Sequence, residues 1–319
     1  MKPYTDAVGT LGIVQLCAFV VGLLFGSFLN VCISRLPRRE SVARPRSHCS
    51  ECGVAIRWHD NIPLLSWILL RGRCRDCNQT IPWRYPLVEL ATGLWFAIVV
   101  VEVTASSLVG LYVQLSAEWW AIHILTGLGL IILGFLLIGL MVMDWRTMIL
   151  PNSFTLGGIA IALFLVCSQA IFLEPKEDEV ILTKHHIQLT SPGGVVDHGN
   201  LFLTGPESLI FGRIAAICGA ALVLLLIRWI YRAARHREGM GLGDVKLLAM
   251  IAAFLGFWPA ILALFLGTLV AAVYGIVLLA RNKAGASSKL AFGSFLCIGG
   301  LVAAQFGDRL INMYITLLR

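Results

Sequence analysis

Long apolar runs separated by short polar segments constrain the fold of this chain more than any other feature. Hydrophobic residues fill 58% of its 319 positions, and charged residues fill only 13%. A helix of about 20 apolar residues can cross a bilayer because it satisfies its own backbone hydrogen bonds. The sequence therefore predicts an all-α polytopic membrane protein with about eight transmembrane helices, near residues 11–33, 86–103, 119–143, 153–173, 209–231, 244–257, 259–280 and 290–307.

The first run is predicted to be an anchor and not a cleaved secretory signal. Lys2 is the only cation ahead of it, and Arg35, Arg38 and Arg39 follow it where a signal peptide would have small residues. Short loops rich in Lys and Arg stay in the cytoplasm. We therefore expect the N-terminus outside and the basic flank inside.

The charges of the later loops agree with this orientation. Residues 34–84 hold ten arginines and no lysine, and basic side chains recur at 232–243 and 281–289, whereas 174–208 carries an acidic cluster. The net charge of +7 thus lies beside apolar runs, which indicates a lipid bilayer and not nucleic acid as the partner. The predicted domains are a first transmembrane helix (1–33), a cytoplasmic module (34–85) and a membrane domain (86–319) with a polar extracytoplasmic insertion at 174–208.

Four cysteines in the predicted module have the spacing of metal ligands. Two residues separate Cys49 from Cys52, and two separate Cys74 from Cys77. Each such turn directs two sulfurs to one centre, and four thiolates form a closed tetrahedral site typical of structural Zn²⁺. The alternative is a pair of disulfides, which requires an oxidising compartment. The expected cytoplasmic location favours a zinc-ribbon-like module.

Two aspartates border predicted transmembrane helices at the same face. Asp144 ends the third helix in the segment MVMDWRTMILPN, and Asp244 begins the sixth in GLGDVK. When two carboxylates lie close together, one retains a proton and acts as an acid while the other acts as a base. The pair predicts hydrolysis of a peptide bond at the inner interface without a catalytic metal.

Structural roles for the same aspartates remain open at this point. Asp144 could pair with Arg146, and Asp244 could cap its helix or pair with Lys246. A divalent metal bound by both is a third alternative, although two carboxylates are few ligands for a hard cation.

Several segments, taken in order, resemble the type IV prepilin peptidases, a family of GxGD membrane aspartic proteases. They are GSFLNVCISRLPR (26–38), PRSHCSEC (45–52), DNIPLLSWILLRGRCRDC (60–77), PWRYPLVELATG (82–93), DWRTMILPN (144–152) and GLGDVK (241–246). The resemblance covers nearly the whole chain except 174–208. One departure is the segment AFGSFL (291–296), because the family often has prolines at the positions of Ala291 and Ser294. We expect this departure to affect packing more than chemistry.

The resemblance implies a bifunctional enzyme of the bacterial cell inner membrane. It implies cleavage of the basic leader from type IV prepilins or type II secretion pseudopilins, followed by methylation of the new N-terminal residue with S-adenosylmethionine. Asp144 and Asp244 would be the catalytic pair, and Cys49, Cys52, Cys74 and Cys77 would bind structural Zn²⁺. The residues that bind S-adenosylmethionine are not evident from the sequence.

Two other functions are kept as alternatives. The first is a peptidase without methyltransferase activity. The second is a non-catalytic membrane assembly or transport protein with a structural zinc site, in which the aspartates would be structural or ion-conducting.

Overall fold

The fold was analysed in a computed structural model that describes residues 2–44, 46–49, 51–113, 117–172, 181–183, 186–188, 206–235, 241–281 and 290–317. Within these ranges the chain forms eight long helices and one short helix. The helices are α1 (Lys2–Arg35), α2 (Leu65–Leu69), α3 (Arg84–Val113), α4 (Ala117–Thr147), α5 (Asn152–Phe172), α6 (Pro206–Arg235), α7 (Leu242–Leu255), α8 (Phe257–Ala280) and α9 (Phe292–Leu317).

The predicted all-α membrane architecture is confirmed, and most long helices extend beyond their apolar runs. Six of them are long and apolar enough to cross a membrane, and α9 supplies a seventh if its two bent parts count as one span. Helix α7 has only 14 residues. At about 1.5 Å per residue it is shorter than the roughly 30 Å hydrocarbon core.

Helix α7 lies at the centre of the membrane domain. It packs against α4, α5, α6, α8 and α9, and Leu247, Leu248 and Met250 are fully buried. The break before α8 occurs at Gly256, whose φ of 92° is accessible mainly to glycine. The sequence placed this break between residues 257 and 259, whereas the structure has it at Gly256. Pro259 lies in the first turn of α8, where a missing N–H costs little.

Helices α1 and α3 pair through direct backbone contact. A Cβ atom at Gly26 would lie 2.6 Å from the Cα atom of Glu89, and one at Gly22 would lie 2.8 Å from the Cα atom of Gly93. Glycines spaced by four on α1 thus allow direct backbone contact, as small residues do in membrane helices generally.

The segment between α1 and α3 contains little regular structure. It has 3₁₀ helices at Leu36–Arg38 and Trp58–Asn61, the short helix α2, and isolated bridges that join His48 to Ala55 and Arg73 to Thr80. Of residues 51–83 only Gly72 is buried. Local turns, and not an apolar core, therefore organise this segment.

Part of the predicted polar insertion is described. Strands β1 (Ile181–Thr183) and β2 (His186–Gln188) pair antiparallel, with Leu182 opposite Ile187. The other residues of 174–208, apart from the start of α6, lie outside the described residues, as do parts of the predicted loops 232–243 and 281–289.

Candidate functional site

The four predicted metal ligands converge in the structure. The sulfurs of Cys49, Cys52, Cys74 and Cys77 all lie within 4.8 Å of one another, and 3.8 Å separates Cys49 Sγ from Cys77 Sγ. Tetrahedral ligands about 2.3 Å from a zinc ion would be about 3.8 Å apart. Among the described residues this is the one group of three or more metal-binding side chains that could hold an ion. The cluster can therefore bind a metal.

Two matching turns produce this convergence. In the first, the N–H of Cys49 bonds to Val54 O, and the N–H of Gly53 bonds to Cys49 O. In the second, the N–H of Cys74 bonds to Gln79 O, and the N–H of Asn78 bonds to Cys74 O. Gly53 and Asn78 have φ values of 71° and 58°, a conformation that these two residue types adopt at small cost.

The first turn also prepares a cysteine for ligation. Backbone N–H groups of Cys52 and Glu51 point at Cys49 Sγ and lower the pKa of that thiol to about 7. Metal ligation requires the thiolate. The fit of the residues to a structural metal therefore rests on sulfur spacing, turn geometry and thiol chemistry together.

The two predicted aspartates also meet. A Cβ atom at Gly293 would lie 3.0 Å from Asp144 Oδ2 and 3.1 Å from Asp244 Oδ1, so these oxygens are no farther apart than the sum of the two distances. Both residues are buried, with 5% and 8% of their surface exposed. Gly293 leaves the space between the carboxylates open, because any larger residue would fill it.

The ends of three helices position the pair. Asp144 lies in the last turn of α4, Asp244 in the first turn of α7, and Gly293 in the first turn of α9. The chain turns after Asp144 at Met148, which has a φ of 52°, and α5 begins at Asn152, directly after Pro151. Helix ends of one membrane face thus bring together residues that are far apart in sequence.

Ser294 holds the first aspartate. Its backbone N–H donates to Asp144 Oδ2 at 2.7 Å, and its Oγ lies 3.0 Å from the same oxygen and 3.0 Å from Met141 O. This role was not predicted from the sequence, where the departure at 294 was expected to affect packing more than chemistry. Proline, which the resembling family often has here, could not donate from its nitrogen.

The second aspartate has fewer partners. Asp244 Oδ2 accepts the N–H of Gly241 at 3.3 Å, so the predicted capping role is present at the first turn of α7. Lys246 donates to Asn152 Oδ1 at 2.9 Å, and no ion pair involves Asp144 or Asp244 within the described parts of the chain. The alternatives of pairing with Arg146 or Lys246 are therefore not what the structure shows.

The two glycines before Asp244 differ in surroundings. A Cβ atom at Gly243 would lie 3.1 Å from Leu150 Cδ1, so close packing accounts for this glycine. A Cβ atom at Gly241 would meet nothing nearer than 3.7 Å. With respect to the described residues, there is therefore room for an extended chain beside Asp244 at Gly241.

These features define a helical membrane protein with two adjoining buried aspartates at one face and a four-cysteine site in the segment between its first two long helices. A family model for the bacterial peptidase A24 N-terminal domain matches residues 20–103, and one for the type IV leader peptidase family matches residues 195–276. No solved structure matches the chain.

Relatives match over nearly the whole length. The chain is 31% identical over 327 residues to the prepilin leader peptidase/N-methyltransferase of Stutzerimonas stutzeri, covering 95% of this chain and 94% of that one. It is 32% identical to the protein of the same name from Aeromonas hydrophila, covering 93% and 92%, and 29% identical to that from Pseudomonas aeruginosa, covering 94% and 93%. The chain belongs to the type IV leader peptidase family.

Proposed function

We propose that this protein removes the leader peptide from type IV prepilins or type II secretion pseudopilins and then methylates the new N-terminal amine with S-adenosylmethionine. The observation that carries the proposal is the convergence of Asp144 and Asp244 on the space beside Gly293. Both activities are supported by the names of relatives that match more than 90% of the chain.

The two aspartates have different roles in hydrolysis. Two carboxylates this close do not both ionise, so one carries a proton. Ser294 directs an N–H and a hydroxyl at Asp144 and favours its charged form. Asp144 is therefore assigned as the base that takes a proton from water. Asp244 is the acid that protonates the amide group as the peptide bond breaks, and the titration belongs to the pair as a whole.

The position of the pair suits a leader peptide. Both aspartates lie within one turn of a helix end, at the edge of the apolar helices. In a substrate with a basic leader followed by an apolar helix, the junction between the leader and the helix would lie at the same depth in the membrane as the two aspartates. The basic loops place this face in the cytoplasm under the positive-inside rule. The protein is accordingly assigned to the bacterial inner membrane, with its domains divided at residues 33 and 85.

Structural Zn²⁺ is assigned to Cys49, Cys52, Cys74 and Cys77. Four thiolates complete the coordination, so no position is left for water or substrate. The ion would hold together a segment that lacks an apolar core. No step of peptide hydrolysis requires it.

The test replaces each aspartate by asparagine, which keeps the shape of the side chain. Asp144→Asn and Asp244→Asn should each reduce cleavage of a purified prepilin at least about a thousandfold, because each change removes one partner of an acid–base pair. Glu102→Gln, a neutralised acid on α3, is the control that should cleave normally. Normal cleavage by either aspartate variant would disprove the assignment.

A further inference from the structure

We propose that the phosphate group of a phospholipid binds between Arg213 of α6 and the N-terminal end of α8, at the membrane face opposite the aspartates. Arg213 lies in a helix that is long and apolar enough to span a membrane. Charged side chains are costly in such helices and are retained mainly where they have a function. The peptidase chemistry assigned above does not use Arg213, so this inference is independent of it.

The guanidinium of Arg213 lacks a partner within the described ranges. Its Nη1 is buried, and no described group accepts a hydrogen bond from it. No described acidic side chain forms an ion pair with it either. An arginine side chain stays protonated in proteins, and a buried donor without an acceptor is costly. The missing partner is therefore expected to be an anion.

The unpartnered nitrogen faces the start of α8. A Cβ atom at Gly256, the residue that precedes α8, would lie only 3.1 Å from Arg213 Nη1. No side chain caps this end of the helix, and Pro259 has no N–H. The described part of the chain also offers no acceptor to the N–H of Phe257 or Trp258. Two backbone donors and a guanidinium therefore adjoin, and helix N-termini with such donors bind phosphate.

The C-terminal end of α7 also lies at this point, because the N–H of Gly256 bonds to Ala252 O. The partial negative charge of a helix C-terminus favours a nearby cation. However, no carbonyl of α7 accepts a hydrogen bond from Arg213 Nη1. The end of α7 thus supplies a favourable dipole but not the acceptor that the guanidinium lacks.

The site lies far from the aspartates. Trp145, the neighbour of Asp144, contacts Tyr274 of α8 with ring centroids 5.6 Å apart. Tyr274 is more than four turns further along α8 than Phe257, a distance of about 26 Å. This distance is close to the thickness of the hydrocarbon core, roughly 30 Å. The start of α8 is therefore at the opposite membrane face.

The surroundings of the site suit a lipid. Trp258 is 64% exposed, and tryptophan is enriched where membrane proteins cross the headgroup level. Phe211, two residues before Arg213, is 58% exposed and offers further apolar surface for acyl chains. At this depth the bilayer itself supplies phosphate groups, and the planar guanidinium can donate two N–H groups to one phosphate.

The test uses the purified full-length protein, delipidated in a phosphate-free detergent. Arg213→Met removes the charge and keeps an apolar side chain. Without phospholipid this variant should unfold at the same temperature as wild type or higher, because wild type buries an unpartnered charge. Added phosphatidylglycerol should raise the unfolding temperature of wild type and not that of the variant. If Arg213→Met instead unfolds at a lower temperature by the same amount with and without lipid, the guanidinium only supports the end of α7 and the proposal is wrong.

Native mass spectrometry measures the affinity of the most tightly bound lipid directly. Arg213→Met should weaken it about tenfold or more, since hydrogen bonds from a charged donor are lost. Arg213→Lys, which keeps the charge without the planar fork, should weaken it less and tests the site even where Arg213→Met does not fold. Arg232→Met, which removes an exposed cation near the other end of α6, is the matched control and should bind as wild type does.

Two further ligands identify the group that is recognised. A diglucosyl diacylglycerol with the same acyl chains has no phosphate and should stabilise wild type no more than Arg213→Met. Equal stabilisation of wild type by this glycolipid and by phosphatidylglycerol would show that acyl chains alone bind. If inorganic phosphate stabilised wild type as strongly as phosphatidylglycerol does, the site would take a free anion and the assignment to a lipid would be wrong.

Discussion

The four-cysteine site and the aspartate site are built in opposite ways. The cysteines lie on two tight turns whose hydrogen bonds span five residues, in a segment that buries almost nothing. The aspartates lie on helices α4 and α7, a hundred positions apart, among side chains that are fully buried. We expect the first site to depend on a bound ion to hold its turns together, and the second to depend on helix packing. Removing the ion should therefore leave the aspartate site intact, and disturbing the helix packing should leave the cysteine site intact.

Loss of the metal should have the largest effect. Replacing Cys49 and Cys74 by serine should release the ion and unfold residues 36–83, because structural zinc contributes roughly 10–16 kcal/mol in small zinc domains. Metal analysis and limited proteolysis measure the outcome. The eight long helices should remain resistant to protease, since they pack against one another.

The control for this prediction uses cysteines of the membrane helices. Cys167→Ser and Cys218→Ser change exposed thiols on α5 and α6 and should keep one ion per chain. If the four-cysteine segment stays resistant to protease without metal, the metal does not hold it together, and the proposed difference between the two sites is wrong.

A smaller effect is expected at the aspartate site. Ser294→Ala removes the hydroxyl that faces Asp144 and keeps the backbone donor. A hydrogen bond to a charged group contributes about 1.5–3 kcal/mol, so kcat for cleavage should fall roughly tenfold or more with little change in KM. Ser168→Ala, which removes a hydroxyl bonded within α5, is the matched control. An unchanged kcat would mean that packing alone orients Asp144.

The difference between a site built from local turns and one built by helix packing explains what the sequence could predict. The cysteine spacing and the turn residues Gly53 and Asn78 are local, so the metal cluster followed from the sequence directly. The eight long helices followed from their apolar runs, although six or seven of them, and not eight, are long and apolar enough to cross a membrane. The loop charges predicted a common face for Asp144 and Asp244, and the two carboxylates do converge.

Contacts that depend on tertiary packing did not follow from the sequence. Ser294 approaches Asp144 from 150 positions away, because α9 packs against α4. Glu89 accepts the N–H of Leu64, and its backbone lies against Gly26 of α1. No spacing rule links such residues. The one sequence feature that pointed to such a contact was a departure from the family pattern, as at Ser294.

The smallest effect should come from the ion pair within the cysteine segment. Arg75 Nε donates to Asp60 Oδ2 at 2.8 Å and joins the second turn to the 3₁₀ helix at Trp58–Asn61. This hydrogen bond lowers the pKa of Asp60, so its stabilisation is fully present above the ordinary aspartate pKa of about 3.9 and is lost only as the pH falls through the lower folded value. Solvent-exposed pairs of this kind contribute little and are screened by salt. Asp60→Asn should therefore raise the rate of proteolysis at residues 58–76 slightly, by the same factor across pH 6–8 and less at high salt. If the variant instead lost its metal as the cysteine variants do, the ion pair and not the turns would organise the site.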